Sequence, residues 1–476
     1  MTKTVRINAH TIVAFQNNEH RILRDGCLVI QDDQIIHVGT SYDGAVDEVI
    51  DATDRIVTPG LINTHTHLAG SPLDKSFIED VGSRQFYLSG LPVMLKARAG
   101  AMGQMEREAC VDYSMAEMIR TGTTTVMELG PIGDYVADAV ERAGLRAYIA
   151  QMYASAKWVA PDGKRVGYDW DEAAGIEGFK NAAKFIERIE GRGNGRIKGF
   201  LSPAQVDTCT EELLRMSRDA SDEMNVPLAL HTSQAVFEFQ EMVQRHGMTP
   251  IEWLQSLDFL SEWCILGHVM FPAGHSWVNF AGDDLTILAD HNVSVAHATW
   301  VFNRRGLALE SLPTYLDVGI NLCLGTDTSP QSMIEAMRWS AVVGKIMVRE
   351  TEKSTAADVF NAATINAAKL LQRDDLGRIA VGAKADLLFW DTGSLFMVPL
   401  RDPIKNIVYN ATSEELADVM INGQWVMRGR QLLTIDEAAV NHRLQRAGER
   451  VWAAVNPAVA SHADELSPQS YGAYEV

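Results

Sequence analysis

Polar and apolar positions alternate with a period of two near both ends of the chain. Between them, short apolar runs are separated by stretches of helical periodicity. The opening segment reads as strands and turns in "TVRINAHTIVAF", "GCLVIQDDQIIHVG" and "EVIDATDRIV", punctuated by Asp and Gly. The same texture returns in "ADLLFWDTG" and "ADVMINGQWVMRGRQLL". This pattern predicts one small β-domain built from residues 1–57 and 380–432 and split by everything between them.

The intervening pattern is different. Candidate strands are "GLINTHTH", "GTTTVMELG", "LRAYIAQMY", "IKGFLSPAQ", "VPLALHTS", "WCILGHV", "VSVAHAT" and "INLCLGTD". Helical stretches such as "QMEREACVDYSMAEMIRTG" and "GDYVADAVERAG" lie between them and end at glycine, as a helix C-terminus favours. Eight strands with intervening helices predict an α/β fold, a (β/α)8 TIM-like barrel over residues 58–379, with the split β-domain as a small β-sandwich. The insertion after the third strand, through "YDWDEAAGIEGFKNAAKFIERIEGRG", reads as a loop followed by a helix, and residues 433–476 as a C-terminal helix and tail.

Composition narrows the partners. The chain has 476 residues, 46% hydrophobic, enough to bury a large core, and its net charge of −20 argues against nucleic acid or an anionic membrane as partner. Five scattered cysteines form no C-x-x-C pair, which fits a reducing compartment and no disulfide framework. The N-terminus reads as a strand, and no apolar run reaches the roughly 18 residues of a membrane span. A cytoplasmic protein acting on a small molecule is expected.

The chemistry gathers at strand ends. In "VTPGLINTHTHLAG", His65 and His67 are two residues apart and so point to the same side of a strand. Taken alone, H-x-H is as compatible with an ordinary half-buried strand as with metal binding. Three later strands end in the same way: "PLALHTS" at His231, "CILGHV" at His268 and "INLCLGTD" at Asp327. A buried histidine satisfied by backbone groups is the ordinary expectation for any one of these. Four imidazoles and a carboxylate at one rim instead predict ligands for a divalent ion: zinc first, with iron, cobalt and manganese open.

With "PGLINTHTH", "LHTS", "GHV", "GTDTSP" and the late "GRIAVGAKADLLFWD", the chain resembles the amidohydrolase superfamily, in its branch of chlorohydrolases and deaminases of triazines and cytosine. Within that branch, "HLAGSPLDKSFIEDVGSRQFY" and "LGHVMFPAGHSWVNFAGDDL" look most like bacterial hydrolases of thiocarbamates (molinate) and phenylureas. The resemblance implies that His65, His67, His231 and Asp327 hold one metal ion and that Asp327 accepts the proton of water. It leaves His268 as either a second-metal ligand or a donor to the substrate oxygen. It also implies a homo-oligomer, dimer or higher. The fourth strand ends Ser202-Pro203-Ala204-Gln205 with no bridging group, which favours one metal.

One departure shapes the functional expectation. Where deaminases of this branch show His-x-x-Glu, this chain reads His231-Thr232-Ser233-Gln234, and an amide does not titrate. Glu238 and Glu241 follow on a helix and are expected to face solvent. The loss favours cleavage at the carbonyl of a small urea, carbamate or thiocarbamate. The alternative is hydrolytic deamination or dechlorination of an aminated N-heterocycle, and a non-catalytic scaffold is disfavoured by the retained ligands. Loop positions expected near substrate are Phe77, Asp80, Phe86 and Tyr87 after the first strand, Trp158 after the third, His275 and Trp277 after the sixth, and His297 and Asn303 at the seventh.

Overall fold

The computed structural model describes residues 2–76, 86–161, 164–310, 312–455 and 471. The N-terminal strands are β1 (Thr4–Gln16), β2 (Glu19–Gln31), β3 (Gln34–Gly39) and β4 (Glu48–Pro59). Then come β5 (Leu61–Thr66), β6 (Thr123–Gly130) and β7 (Arg146–Gln151), a hairpin of β8 (Ala156–Val159) and β9 (Gly167–Trp170), and β10 (Ile197–Gly199). They are followed by β11 (Leu228–Thr232), β12 (Cys264–His268), β13 (Ser294–His297) and β14 (Asn321–Leu324). The last are β15 (Leu387–Asp391), β16 (Leu416–Ile421), β17 (Gln424–Arg428) and β18 (Gln431–Leu432).

The two chain ends share one eight-stranded sheet, ordered β18-β17-β16-β15-β4-β1-β2-β3. Alternation along its strands serves two cores. Leu387 and Phe389 join Ile7, Leu28 and Val57 in the core of this sheet. Their neighbours Leu388 and Trp390 point the other way, into a second core shared with Met115, Ile119 and Val140 of the central region. A buried ion pair adds to this junction: Arg146 Nε and Nη2 donate to Asp386 at 3.1 and 3.3 Å, and Nη2 also donates to Asn422 Oδ1 at 3.0 Å.

The centre is mixed α/β with two parallel sheets, β10-β7-β6-β5 and β11-β12-β13-β14. Parallel bridges link them at both seams, Leu201 with Leu228 and Gln205 with His231 on one side, Thr66 with Asp327 on the other. Every residue of β5, β6, β11, β12 and β13 is buried, as expected for strands covered on both faces. Helices such as Gln104–Arg120, Gly133–Ala143 and Glu172–Ile189 supply the outer layer. No helix among the described residues is long and apolar enough to cross a membrane.

Candidate functional site

The ends of β5, β11 and β12 and the residues just after β14 converge. Asp327 and β5 exchange two backbone hydrogen bonds: Asp327 N donates to His65 O and His67 N donates to Asp327 O, both at 2.8 Å. This close approach explains Gly325, where a Cβ would lie 2.7 Å from that of His65. Asp327 itself sits at φ +59°, a left-handed conformation that costs energy for a non-glycine residue and recurs at functional sites.

Backbone carbonyls select the imidazole tautomers. His67 Nδ1 donates to Leu129 O and His231 Nδ1 to Ala204 O, each at 2.6 Å, so the Nε2 lone pairs of both rings face inward. His231 Nε2 lies 3.0 Å from His65 Nε2 and 3.2 Å from His67 Nε2. Asp327 Oδ1 is 3.4 Å from His67 Nε2 and 3.9 Å from His65 Nε2, and Asp327 Oδ2 is 3.9 Å from His268 Nε2. Burial pulls His67 and His231 down to about 4 and His65 and His268 well below the usual imidazole value, so all four are neutral at pH 7. Burial also raises Asp327 to about 6, against the pull of the Arg305 guanidinium and His231.

A cavity of about 210 Å³ opens onto these groups, bordered also by Trp158, Gln205, Gln234, Phe302 and Arg305. The turn before the helix Val236–His246 holds Gln234 in place. Glu238, expected at the solvent face, is instead fully buried: its carboxylate accepts from Ser233 N at 2.5 Å and Gln234 N at 2.9 Å. Acidic residues favour the first turn of a helix, where free N–H groups point at them. Burial, then Asp207 beside it, drives Glu238 well above the carboxylate range. Glu241 pairs with Arg245 at 2.8 Å, outside the site. Asp207, raised to about 6 by burial, accepts from Trp158 Nε1 at 2.7 Å and Tyr168 Oη at 2.8 Å, tying the β8–β9 hairpin to the site.

Of the residues expected from the sequence, the structure brings together His65, His67, His231, His268, Asp327, Gln234 and Trp158. Phe77 and Asp80 lie outside the described residues. Four expectations need correction, because these side chains do not border the cavity. His275 and Trp277 pack on Phe271, with Trp277 41% exposed, because the long loop after β12 folds onto itself. His297 is buried behind His268 and stacks on Phe302. Asn303 closes the short helix Thr299–Asn303, its carbonyl accepting from Gly306 N. Phe86 and Tyr87 likewise pack elsewhere, against Phe237 and Gln240.

Sequence reasoning missed Glu128, Asp74, Arg98 and Arg305 in the cavity wall. Glu128 could have been found by the strand-end rule used for the histidines, since it stands near the end of β6. It accepts from Thr66 Oγ1 at 2.8 Å and Leu68 N at 3.0 Å, bracing the residues that flank His67, and burial lifts its carboxyl to about 8.

Comparison with known proteins places this geometry. The chain is 29% identical over 441 residues to a 5'-deoxyadenosine deaminase of Methanosarcina barkeri, covering 91% of this chain and 95% of that protein. It is 28% identical over 447 residues to a 5-methylthioadenosine/S-adenosylhomocysteine deaminase of Acetivibrio thermocellus, covering 91% and 96%. Among solved structures, an adenosine deaminase from Xanthomonas campestris with bound zinc superposes with a TM-score of 0.79 at 22% identity, covering 94% and 98% of the two chains. Atrazine chlorohydrolase from Arthrobacter aurescens, complexed with zinc, gives 0.79 at 21%, covering 95% and 100%; at such identities these two speak for the fold. The deaminase relatives overturn the expected cleavage of ureas, carbamates and thiocarbamates, together with the likeness to molinate and phenylurea hydrolases, and favour the alternative. Since residues 56–426, most of the chain, match the amidohydrolase family model, this protein belongs to the amidohydrolase family and is an enzyme of that superfamily.

Proposed function

We propose that this enzyme is a hydrolytic deaminase of an aminated N-heterocycle, working with one divalent metal ion, zinc first, held by His65, His67, His231 and Asp327. The observation that carries the metal in this reading is the pair of inward Nε2 atoms on His67 and His231, 3.2 Å apart, whose Nδ1 protons are committed to backbone carbonyls; the deaminase relatives support the reaction. Two lone pairs facing each other repel unless a cation lies between them. Nitrogen atoms turned towards each other at that separation would suit a small divalent ion such as zinc. Neutral imidazoles and one carboxylate suit that ion. We read the two parallel sheets, bridged at both seams, as a (β/α)8 barrel over 58–379, with the composite sheet as its β-sandwich-like companion.

A bound divalent ion lowers the pKa of water from 15.7 towards about 7 and so supplies a nucleophile at neutral pH. The chain's own residues manage the protons. Asp327 takes the proton that water gives up as its oxygen adds to the ring carbon bearing the amine. His268, on the Oδ2 side of Asp327, donates to the substrate where negative charge develops. Asp327 then passes its proton to the leaving nitrogen; the C–N bond breaks and ammonia departs, while the proton left on the added oxygen moves to the adjacent ring nitrogen, so that the ring keeps a carbonyl beside an N–H. Gln234 does not titrate; Glu238 holds its backbone N–H, and its side-chain amide, whose nitrogen has no partner among the described residues, orients the ring. With an amide at 234, Asp327 is the carboxylate among these groups left to accept the proton and return it, and its Oδ2 lies on the His268 side of the site.

The relatives make aminated purines the first compounds to test, with aminated pyrimidines and triazines beside them. The zinc-loaded protein should release ammonia from at least one of these, with mass spectrometry showing an oxo group in place of the amine. No ammonia from any member of the panel refutes the proposal.

A further inference from the structure

The cavity wall carries more cationic groups than its own residues match. Arg98, Arg107 and Arg305 border it, against the carboxylates of Asp74 and Asp327. The Glu128 carboxyl is already occupied by the Thr66 hydroxyl and the Leu68 N–H. Arg98 is accounted for, because it pairs with buried Asp74 and donates to Gly70 O at 3.4 Å. Arg305 is not. Its Nη2 is buried and has no hydrogen-bond partner among the described residues.

The chain places this guanidinium deliberately. After the helix Thr299–Asn303, Arg305 N donates to Phe302 O at 2.9 Å, and Gly306 at φ +75° turns the backbone away. Phe302 and Arg305 from this one turn both border the cavity. The attraction of Asp327 and Asp74 does not outweigh burial, which pulls Arg305 below its ordinary value. A guanidinium nevertheless stays charged, so Arg305 brings to the cavity wall a cation with one N–H that no described protein group accepts.

Resting on the deaminase reading, we propose that Arg305 anchors a carboxylate carried by the substrate and so restricts it to an anionic aminoheterocycle. One guanidinium with an unmatched N–H fits the single charge of a carboxylate. Arg305 touches no reacting atom in this scheme; it determines specificity.

The test titrates full-length protein calorimetrically with amine-free pyrimidine, triazine and purine carboxylates, each beside its carboxamide. The parent should bind at least one carboxylate about ten- to a hundredfold more tightly than its carboxamide, the range for a hydrogen-bonded charge. Arg305→Met should abolish that preference and Arg305→Lys should keep part of it; the lysine variant carries the comparison if the methionine variant does not fold. No carboxylate preference in any pair, or an undiminished preference in the substituted protein, overturns the inference. Ammonia release from the amino counterparts separates the two readings. Ammonia without carboxylate preference removes Arg305 and leaves deamination standing, whereas preference without ammonia removes deamination and leaves Arg305 standing.

Discussion

The metal-free protein should lose stability towards both acid and alkaline pH, and Glu128→Gln should flatten the alkaline side of that profile. Five imidazoles at or behind the site, His65, His67, His231, His268 and His297, are held below 6.5, chiefly by burial. Four buried carboxyls, Glu128, Asp207, Glu238 and Asp327, are held above their ordinary range for the same reason. The two sets act in opposite senses. An imidazole depressed on folding contributes stability fully above 6.5, and that contribution is lost as pH falls towards about 4 for His67 and His231 and about 3 for His297. A carboxyl raised on folding contributes fully below its unfolded value. That contribution is lost as pH rises through about 6 for Asp207 and Asp327 and about 8 for Glu128.

At pH 5 the unfolded chain therefore holds nearly all five imidazole protons, and the native chain holds most of the four carboxyl protons. Below that pH the carboxyls no longer distinguish the two states while the imidazoles still do, so further acidification lowers stability. At pH 7 the sign reverses, because Glu128 keeps its proton only in the folded state, and its loss lowers stability on the order of 1 kcal/mol per pH unit as pH rises. The rise of Glu128 from 4.5 to about 8 corresponds to roughly 5 kcal/mol across that window. The measurement is the urea midpoint of chelator-treated protein from pH 5 to about 8.5, followed by near-ultraviolet circular dichroism. An alkaline slope in Glu128→Gln equal to that of the parent would refute this account of the buried carboxyls.

Three further outcomes are expected. Asp327→Asn should abolish turnover with an unchanged near-ultraviolet spectrum; a normal kcat would remove Asp327 as the proton carrier. Glu238→Ala leaves the buried Ser233 and Gln234 N–H groups without acceptors and should cost about 2–4 kcal/mol. It should also lower kcat about a hundredfold through misplaced Gln234, and steady-state kinetics with an unchanged kcat would count against that positioning. His231→Ala should reduce bound metal, by elemental analysis, from about one equivalent to a small fraction, and full retention would reassign the ligand set.

The strand ends were the most readable part of the chain. Burial on both faces makes β11 and β12 continuous apolar runs, so His231 and His268 stand out at their termini, and the two-residue period puts His65 and His67 on one side. Loops carry no such period. His275 and Trp277 looked available because nothing in their spacing shows that their loop packs on Phe271. Glu238 was misjudged because helical periodicity does not tell a solvent-facing acid from one that turns back to hold the N–H groups ahead of its own helix. The functional error shared this cause. An amide at 234 does not tell which other side chain stands ready to carry the proton, and the deaminase relatives favour deamination all the same.

The β4 strand, which runs through Pro59 and Gly60 directly into the histidine-bearing β5, sets an order of events during synthesis. One edge of β4 pairs with β1 early, but its other edge waits for β15, which begins at residue 387. The residues that hold His67 in register lie at Asp327. On the ribosome, the chain therefore carries an unpaired strand edge and an unfinished cation pocket until most of it has emerged. Loading with the ion is a late event in the life of the nascent enzyme, and the exposed edge makes this the interval of greatest aggregation risk.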